Sequence, residues 1–200
     1  MIFAIEAQAQ DSITEKRNSF KATVTVTPPN PTLYGIYRVD SFYELYQPDI
    51  GYGASFHYEY RPVNRIGLSA GLGYIYLSGD DGHLTENSEV AFHITDIDLG
   101  LSLYGLFGIK SLVLDAGYLQ SFVTSKNNVN PAAFNTSDKG SGRGAYLGLS
   151  NLFEISNNSG IRIGMKAVFR NIDIEEGSSF SMKSFVGISP AIDISYSFHF

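Results

Sequence analysis

The chain has 200 residues, enough for a single domain, and a formal net charge of −6. It contains no Cys and no Trp, but it has 20 Gly, 13 Tyr and 14 Phe. The absence of Cys excludes a disulfide framework, a thiolate metal site and a lipid-anchored N-terminal Cys, and no basic tract favours nucleic-acid binding. No stretch reaches the roughly 18 consecutive apolar residues that a membrane-spanning helix needs.

The N-terminus resembles the end of an export signal. Residues 1–5 form a short apolar run, and Ala7 and Ala9 are small residues placed as they are before a signal-peptidase cleavage site. The basic start and the longer apolar stretch of a full signal are missing. We therefore expect residues 1–10 to be the remainder of a signal peptide that starts upstream, and residues 11–200 to form one barrel domain.

From residue 20 onward, apolar and polar residues alternate with period 2 in eight segments, and no helical periodicity persists. The predicted strands are 20–27, 50–61, 65–78, 90–108, 112–124, 143–155, 161–173 and 185–200. Long polar connections (28–49, 79–89, 125–142, 174–184) alternate with short turns (62–64, 109–111, 156–160). This order places every short turn on one side of a membrane, as in transmembrane barrels. We predict an all-β fold, a closed eight-stranded antiparallel up-and-down transmembrane β-barrel.

Each predicted strand has one apolar and one polar face, because successive side chains point to opposite sides of a strand. Aromatic residues cluster near both strand ends: Tyr58, Tyr60, Phe107, Phe153, Tyr196 and Phe198 at one end, and Tyr74, Tyr76, Phe122 and Phe169 at the other. Two aromatic belts are typical of membrane interfaces, so we expect the apolar face to contact lipid. The alternative is a soluble lipocalin-like carrier, in which the apolar face would surround a ligand.

Two segments carry a family resemblance. The segment PDIGYGASFHYEYRPVNRIGLSAGLGYIYLSG resembles the second hairpin of the outer-membrane β-barrel domain family common in Bacteroidota and, more distantly, small barrels of the OmpA/OmpX type. The ending AIDISYSFHF, with Tyr196, Phe198 and Phe200, resembles the assembly signal that such proteins present to the barrel assembly machinery.

This resemblance covers about residues 20–200. It implies a Gram-negative outer-membrane location, with outer-membrane lipid and the assembly machinery as partners. It implies no single function, because the family includes adhesins, assembly accessories and a few lipid-modifying enzymes.

The polar faces predict a charge network in the barrel lumen. Its members carry both signs: Glu59, Arg61, Asp96, Asp98, Asp115, Glu154, Arg162, Lys166, Arg170 and Asp193. An eight-stranded barrel is just wide enough for side chains to fill it, and buried charges must be paired. We therefore expect a plug of ion pairs. The alternative is a proton or ion path, because ionisable residues at membrane depth are functional candidates.

Ser55, His57 and Glu59 share one strand face and offer a nucleophile, a base and an acid, as in lipid A deacylase barrels. Neighbours at i and i+2 on a strand have Cβ atoms about 7 Å apart. Catalytic Ser–His pairs need a hydrogen bond of about 2.6–3.2 Å. We therefore predict no catalytic residue, no metal site and no cofactor, and a lipid-modifying barrel enzyme is the alternative function.

The first long connection contains the densest group of aromatic residues expected to be exposed: Tyr34, Tyr37, Phe42, Tyr43 and Tyr46. Exposed aromatic clusters mark interaction sites. We expect a non-enzymatic scaffold, adhesin or accessory subunit that acts through its extracellular loops, with another outer-membrane or extracellular protein as a candidate partner and no nucleic acid.

An alternative assignment makes residues 32–47 a strand. Leu33, Gly35, Tyr37 and Val39 alternate with more polar neighbours, which is the pattern of a strand. Residues 20–27 would then be a periplasmic tail.

Overall fold

The computed structural model describes the backbone of residues 17–28, 35–39, 42–80, 89–129, 134–175 and 182–200. It describes side chains over 17–28, 50–78, 91–124, 139–173 and 187–200. The strands are β1 (Asn18–Thr27), β2 (Gly35–Val39), β3 (Phe42–Val63), β4 (Ile66–Asp80), β5 (Glu89–Tyr104), β6 (Leu112–Val129), β7 (Phe134–Ser156), β8 (Ser159–Glu175) and β9 (Met182–His199). A 3-10 turn, Leu106–Gly108, follows β5.

The strands form one closed antiparallel sheet. Each strand from β3 to β9 pairs with the next along the chain, and β1 pairs with both β3 and β9. The barrel therefore has no open edge, which is the condition for a sheet to cross lipid. One end carries the tight connections β3–β4, β5–β6 and β7–β8; we call it the turn end, and the opposite end the loop end. In outer-membrane barrels, which the sequence resembles, short turns face the periplasm, so we expect the loop end to be extracellular.

The first position in the barrel wall is shared by β1 and β2. Thr27, the last residue of β1, pairs with Gly51 of β3. Gly35, the first residue of β2, pairs with Tyr46 of the same strand, which lies nearer the loop end. On the other side, both β1 and β2 pair with β9. The nine strands thus occupy eight positions, as predicted. The interruption contains Pro28, Pro29 and Pro31, and proline cannot donate a ladder hydrogen bond.

This arrangement corrects both assignments of the region 28–49. The prediction that all of it is a loop was wrong, because β2 and the first residues of β3 lie within it. The alternative was wrong about residues 20–27, which belong to β1 in the wall rather than to a periplasmic tail. The two segments are both strands, because both carry the period-2 alternation that a paired strand requires.

Other predicted loops are shorter than expected, because the strands continue further towards the loop end. Strands β6 and β7 pair up to Val129 and Phe134, within the predicted loop 125–142, and β8 and β9 extend into the predicted loop 174–184. Polar residues such as Thr136 and Ser137 of β7 pair there with Asn127 and Lys126 of β6. The polar composition of this region therefore did not exclude strand pairing.

The predicted strand 90–108 ends earlier than expected. Strand β5 stops at Tyr104, because Gly105 and Gly108 take left-handed backbone angles (φ 71° and 79°) that break the extended chain. Phe107 between them also has a positive φ of 53°, an uncommon conformation for a residue with a side chain. Its ring projects from the turn end, 92% exposed.

The apolar face is on the outside of the barrel. Leu72, Leu99 and Met165 are 60%, 62% and 71% exposed, whereas the charged side chains of Glu59 and Arg170 are almost fully buried inside. An apolar outer wall around a polar interior is the arrangement of a transmembrane barrel. The soluble lipocalin-like alternative, which needs the apolar face inside, is therefore wrong. Within the described part of the chain, no helix is long and apolar enough to span a bilayer.

The paired positions are staggered around the barrel. Starting at Val24, successive partners are Ala54, Tyr74, Thr95, Phe122, Ser141, Asp173 and Ser184. The last of these adjoins Phe185, which pairs with Tyr37 of β2 rather than with β1. The strands are therefore tilted and staggered, as closure of a barrel requires.

Candidate functional site

The lumen near the turn end is filled by a cluster around Glu59, which is 2% exposed. Its Oε1 accepts hydrogen bonds from Arg61 Nε at 2.8 Å and from the Tyr104 hydroxyl at 2.6 Å. The Arg61 guanidinium also lies over the Tyr104 ring, 3.9 Å from its centroid. The carboxylate is thus held by charge-assisted hydrogen bonds, which are stronger than neutral ones.

Arg162 of β8 reaches across the lumen to the same cluster. Its Nη2 donates to Asp115 Oδ2 at 2.5 Å and to Ser150 Oγ at 3.1 Å, and its Nη1 lies 4.0 Å from Glu59 Oε2. Ser102 donates to Asp115 Oδ1 at 2.5 Å. These contacts join β3, β5, β6, β7 and β8 through side chains inside the barrel.

Two further ion pairs lie closer to the loop end. Arg170 contacts both carboxylate oxygens of Asp96, at 2.5 and 3.4 Å, and Ser121 donates to Asp96 Oδ1 at 2.5 Å. The Lys166 ammonium lies 2.9 Å from Asp193 Oδ2 and is more exposed, with 21% of the Lys166 side chain accessible against 3% for Arg170. Removal of one partner from the deeper pair leaves an uncompensated buried charge.

His57 and Asp98 form the central polar contact, with His57 Nε2 2.8 Å from Asp98 Oδ2. A Cβ atom at Gly71 would overlap the imidazole, so glycine at this position is what admits the ring. Beside the pair is a cavity of about 80 Å³ lined by polar side chains, including Ser55, His57 and Asp98. Ser55 Oγ, His57 Nδ1 and Asp98 Oδ1 are buried without a protein hydrogen-bond partner.

Charges of opposite sign are equal in number on the described luminal face. The cations are Lys21, Arg61, Arg162, Lys166 and Arg170, and the carboxylates are Glu59, Asp96, Asp98, Asp115 and Asp193. Four of the five cations, Arg61, Arg162, Lys166 and Arg170, lie within ion-pair distance of a carboxylate. Pairing of opposite charges is the arrangement in which buried charges are tolerated.

An apolar layer lies on the loop side of this network. It consists of six buried side chains that point inward: Ile75, Leu77, Phe92, Ile94, Val123 and Ile172. On β5, Ile94 is the next inward position after Asp96, and on β8 Ile172 follows Arg170. Hydrophobic constrictions exclude water and ions from pores. Sequence reasoning missed this layer, although extending the inward alternation beyond Asp96 would have reached Ile94 and Phe92.

The structure brings together nine of the ten residues predicted for the charge network. Glu154 is the exception and a correction: it is exposed at the turn end and has no ion pair among the described residues. In the alternation of β7 it falls on the inward side, but it lies beyond the turn end of the lumen. Sequence reasoning missed Lys21, Ser102 and Tyr104, of which Ser102 and Tyr104 share strand parity with Asp96 and Asp98 on β5.

Ser55, His57 and Glu59 do not form a catalytic relay in the described structure. His57 contacts Asp98, Glu59 is occupied by Arg61 and Tyr104, and the Ser55 hydroxyl has no hydrogen-bond partner. A nucleophile must lie within hydrogen-bond reach of its base. Among the described residues there is also no group of three or more His, Asp or Glu arranged to hold a metal ion.

The aromatic residues predicted to bind a partner lie largely outside the described side chains. The structure places the backbone of Tyr37 in β2 and that of Phe42, Tyr43 and Tyr46 in β3, whereas Tyr34 is not among the described residues. The signal-like segment 1–10 and residues 81–88 of the predicted connection 79–89 are also outside the described part of the chain.

The aromatic residues of the predicted assembly signal lie at the junction of β9 and β1. Tyr196 and Phe198 pair with Ala22 and Phe20, and all three aromatic rings of the signal, including Phe200, point outward. The rings of Phe198 and Phe200 stack at 6.5 Å between centroids. The junction therefore has its own aromatic cluster in the turn-end belt.

Solved structures of outer-membrane proteins share this fold. OprG from Pseudomonas aeruginosa is 12% identical, with 92% of this chain and 96% of that chain covered and a TM-score of 0.59. Neisserial surface protein A is 10% identical over 90% and 97% of the chains (TM-score 0.51), and AlkL is 12% identical over 92% and 91% (TM-score 0.53). No protein-family model and no curated protein matches the sequence.

This likeness and the apolar outer wall together identify the fold as an eight-stranded outer-membrane β-barrel, and the protein is placed in the outer membrane.

Proposed function

We propose that this chain is a non-enzymatic and non-conducting outer-membrane barrel that acts as a scaffold, adhesin or accessory subunit through its loop end. The observation that carries the proposal is the filled lumen. A network of ion pairs occupies its turn-end part, and the apolar layer of Ile75, Leu77, Phe92, Ile94, Val123 and Ile172 lies on the loop side of this network.

An ion that crossed this lumen would have to meet two different barriers. It would first have to pass the six side chains of the apolar layer, none of which can replace its hydration water. It would then have to displace ion pairs such as Arg170–Asp96, whose members are almost fully buried. The interior thus offers structural support rather than a path.

The loop end is the remaining place for function. Strands β3 and β7 have 22 and 23 residues, whereas a tilted transmembrane strand needs about 9–11. Their excess length extends beyond the bilayer at the loop end, where β2 also pairs. Loops on a rigid support commonly carry binding residues. The aromatic residues Tyr34, Tyr37, Phe42, Tyr43 and Tyr46 remain our candidates for partner contact in this region.

Conductance of the purified protein in planar lipid bilayers tests the proposal. We expect no steady channel from the wild type. The double variant Phe92→Ser/Ile94→Ser should admit water and raise ion leakage, while Ile97→Ser, on the outer face of the same strand, should not. Stable wild-type channels would overturn the proposal. If Lys166→Ala then abolished them, the network would have to be a selectivity element in an ion path.

We also infer that the chain is a divergent member of the Bacteroidota-type outer-membrane barrel family. The hairpin segment that begins at Pro48 and the alternating C-terminus that ends in Phe200 support this inference. Assembly of the unfolded chain by a purified Bacteroidota assembly machinery, but not by a machinery whose substrate C-termini differ, is the expected result.

A further inference from the structure

A row of polar side chains interrupts the apolar outer wall near the loop end. Gln120, Arg143 and Asn171 are direct partners across β6, β7 and β8 and point outward. The next outward pair towards the loop end is Ser141 and Asp173. Together with Gly142 these five side chains line a shallow depression of about 390 Å³, which we call the outer cleft.

The outer cleft lies at the boundary of the lipid-facing band. The adjacent outward row on the turn side is Tyr118, Ala145 and Phe169, two aromatic residues and an alanine. On other strands the outward face near this end remains aromatic or aliphatic, for example at Tyr52 and Ile188. Aromatic belts lie at headgroup depth, so the cleft faces the headgroups of the outer leaflet.

Among the described residues, no carboxylate lies within ion-pair distance of Arg143. The ion pairs of the described structure are all inside the lumen, and Arg143 is exposed on the opposite side of the wall. An outward arginine is costly at the bilayer midplane but is tolerated near the interface. A guanidinium at headgroup depth matches phosphate with a bidentate hydrogen-bond geometry.

The other residues of the cleft indicate the rest of the ligand. Asp173 is a pure hydrogen-bond acceptor, and the amides of Gln120 and Asn171 both donate and accept. A carboxylate beside a phosphate-binding arginine needs a donor from the ligand, and sugar hydroxyls supply several. A phosphoglyceride with a choline headgroup supplies none. The side chains therefore fit a sugar that carries a phosphate.

We propose that the outer cleft binds the phosphorylated headgroup of a glycolipid of the outer leaflet. Arg143 donates to the phosphate, Asp173 accepts a hydrogen bond from a sugar hydroxyl, and Gln120 and Asn171 contact other hydroxyl groups. This site is separate from the lumen and does not depend on whether the barrel conducts.

Binding can be measured by native mass spectrometry of the detergent-solubilised protein with a bisphosphorylated diglucosamine lipid. The same lipid without phosphates and inorganic phosphate alone are the comparison ligands. We expect one tightly bound bisphosphorylated lipid that millimolar free phosphate does not displace. The lipid without phosphates should bind at least about tenfold more weakly, because a charge-assisted hydrogen bond contributes on this scale.

The variants separate the roles of the residues. Arg143→Ala should weaken binding by about tenfold or more, and Arg143→Lys should weaken it less, because it keeps the charge but loses the bidentate geometry. Lys110→Ala removes the same charge from the turn end, where Lys110 is exposed, and should leave binding unchanged. Folding of each variant is checked by its heat-dependent migration in SDS gels.

Several results would overturn the proposal. These are undiminished binding to folded Arg143→Ala, equal binding of the lipid without phosphates, or displacement by free phosphate, which would indicate a simple anion site. A wild-type dimer in lipid-free detergent that Arg143→Ala makes monomeric would instead identify the cleft as a contact between two copies. If Arg143→Ala does not fold, Arg143→Lys and Asn171→Ala decide the matter, and unchanged lipid affinity in both would contradict the proposal.

Discussion

The ring of Phe200 stacks on the ring of Phe20, with the two centroids 5.3 Å apart and the planes inclined by 29°. The main-chain N–H of Phe200 also donates to the carbonyl oxygen of Asn18 at 2.9 Å. Phe20 in turn stacks on Phe56 of β3 at 5.4 Å. The final residue therefore contributes both a backbone bond and an aromatic contact to the junction where the barrel closes.

Phe200→Ala should weaken this junction. Aromatic pairs contribute about 0.5–1.5 kcal/mol beyond the burial of their area, so we expect a loss of stability on this scale in urea unfolding from lipid vesicles. In cells we expect several-fold less protein with the heat-dependent gel mobility of a folded barrel. Phe153→Ala is the control, because Phe153 is 54% exposed on the outer face of β7, away from the junction. Equal losses in the two variants would mean that Phe200 acts only as one more residue of the belt.

Leu99→Arg should damage the barrel because it places a charge on the lipid-facing wall, where Leu99 is 62% exposed. The expected cost is about 2–4 kcal/mol in the free energy of unfolding, measured by refolding into lipid vesicles. Ile109→Arg is the matched control, since Ile109 is 52% exposed in the β5–β6 turn and its substituent can reach water. Similar tolerance of both substitutions would contradict the placement of the apolar wall in lipid.

The two ion pairs near the loop side of the network should differ in their response to truncation. Arg170→Ala leaves Asp96 buried without a counter-charge and should cost about 3–5 kcal/mol. Lys166→Ala removes a partner of Asp193 that is about one-fifth exposed, so water can compensate and the cost should be smaller. Urea unfolding of both variants gives the comparison.

The double variant Arg170→Met/Asp96→Leu checks the cause. It removes both charges and should recover most of the stability lost in Arg170→Ala, because no unpaired charge remains. A double variant as unstable as Arg170→Ala would show that the shape of these side chains, rather than their pairing, determines the effect.

Much of this fold was predictable because successive side chains of a strand point alternately inward and outward. The alternation of Ile192 and Ile194 with Asp193 and Ser195 assigned the faces of β9, and Asp193 indeed meets Lys166 inside the barrel. Parity also predicted Arg162 and Asp115 on the luminal side, although it could not say that they contact each other. That contact depends on register across three strands, which no single segment encodes.

The incorrect or missing predictions concern features that the alternation of inward and outward positions does not encode. Glu154 falls on the inward side in the alternation of β7 but lies beyond the rim of the barrel. It was assigned to the lumen because the alternation does not show where a strand extends past the end of the barrel. The interruption between β1 and β2 coincides with Pro28, Pro29 and Pro31 in the sequence, but the return of the chain to the same wall position is a long-range property. The apolar layer was missed because an apolar residue was taken as evidence of an outward face.

Replacement of residues 32–47 by a short Gly-Ser linker tests whether the loop end carries function. We expect the barrel to remain closed, because β1 pairs directly with both β3 and β9 without β2. Heat-dependent gel mobility should therefore persist, while binding of a loop-end partner, followed by co-purification in mild detergent, should be lost. The replacement of Asn157 and Asn158 by Gly and Ser at the turn end is the control.

Loss of heat-dependent mobility in the linker variant would show that β2 is needed for closure. Unchanged co-purification with a folded linker variant would remove residues 32–47 from the proposed binding region.

The bond between Phe200 and Asn18 has a consequence for the order of the chain. Because the two ends of the wall are adjacent, a short linker from residue 200 to residue 18 and new termini in the turn at Asn64 would give a circularly permuted barrel with the same strand neighbours. In such a permutant Phe200 keeps its stack on Phe20 but no longer ends the chain. The packing role of Phe200 in the closed wall and its predicted role in the assembly signal would then be separately measurable.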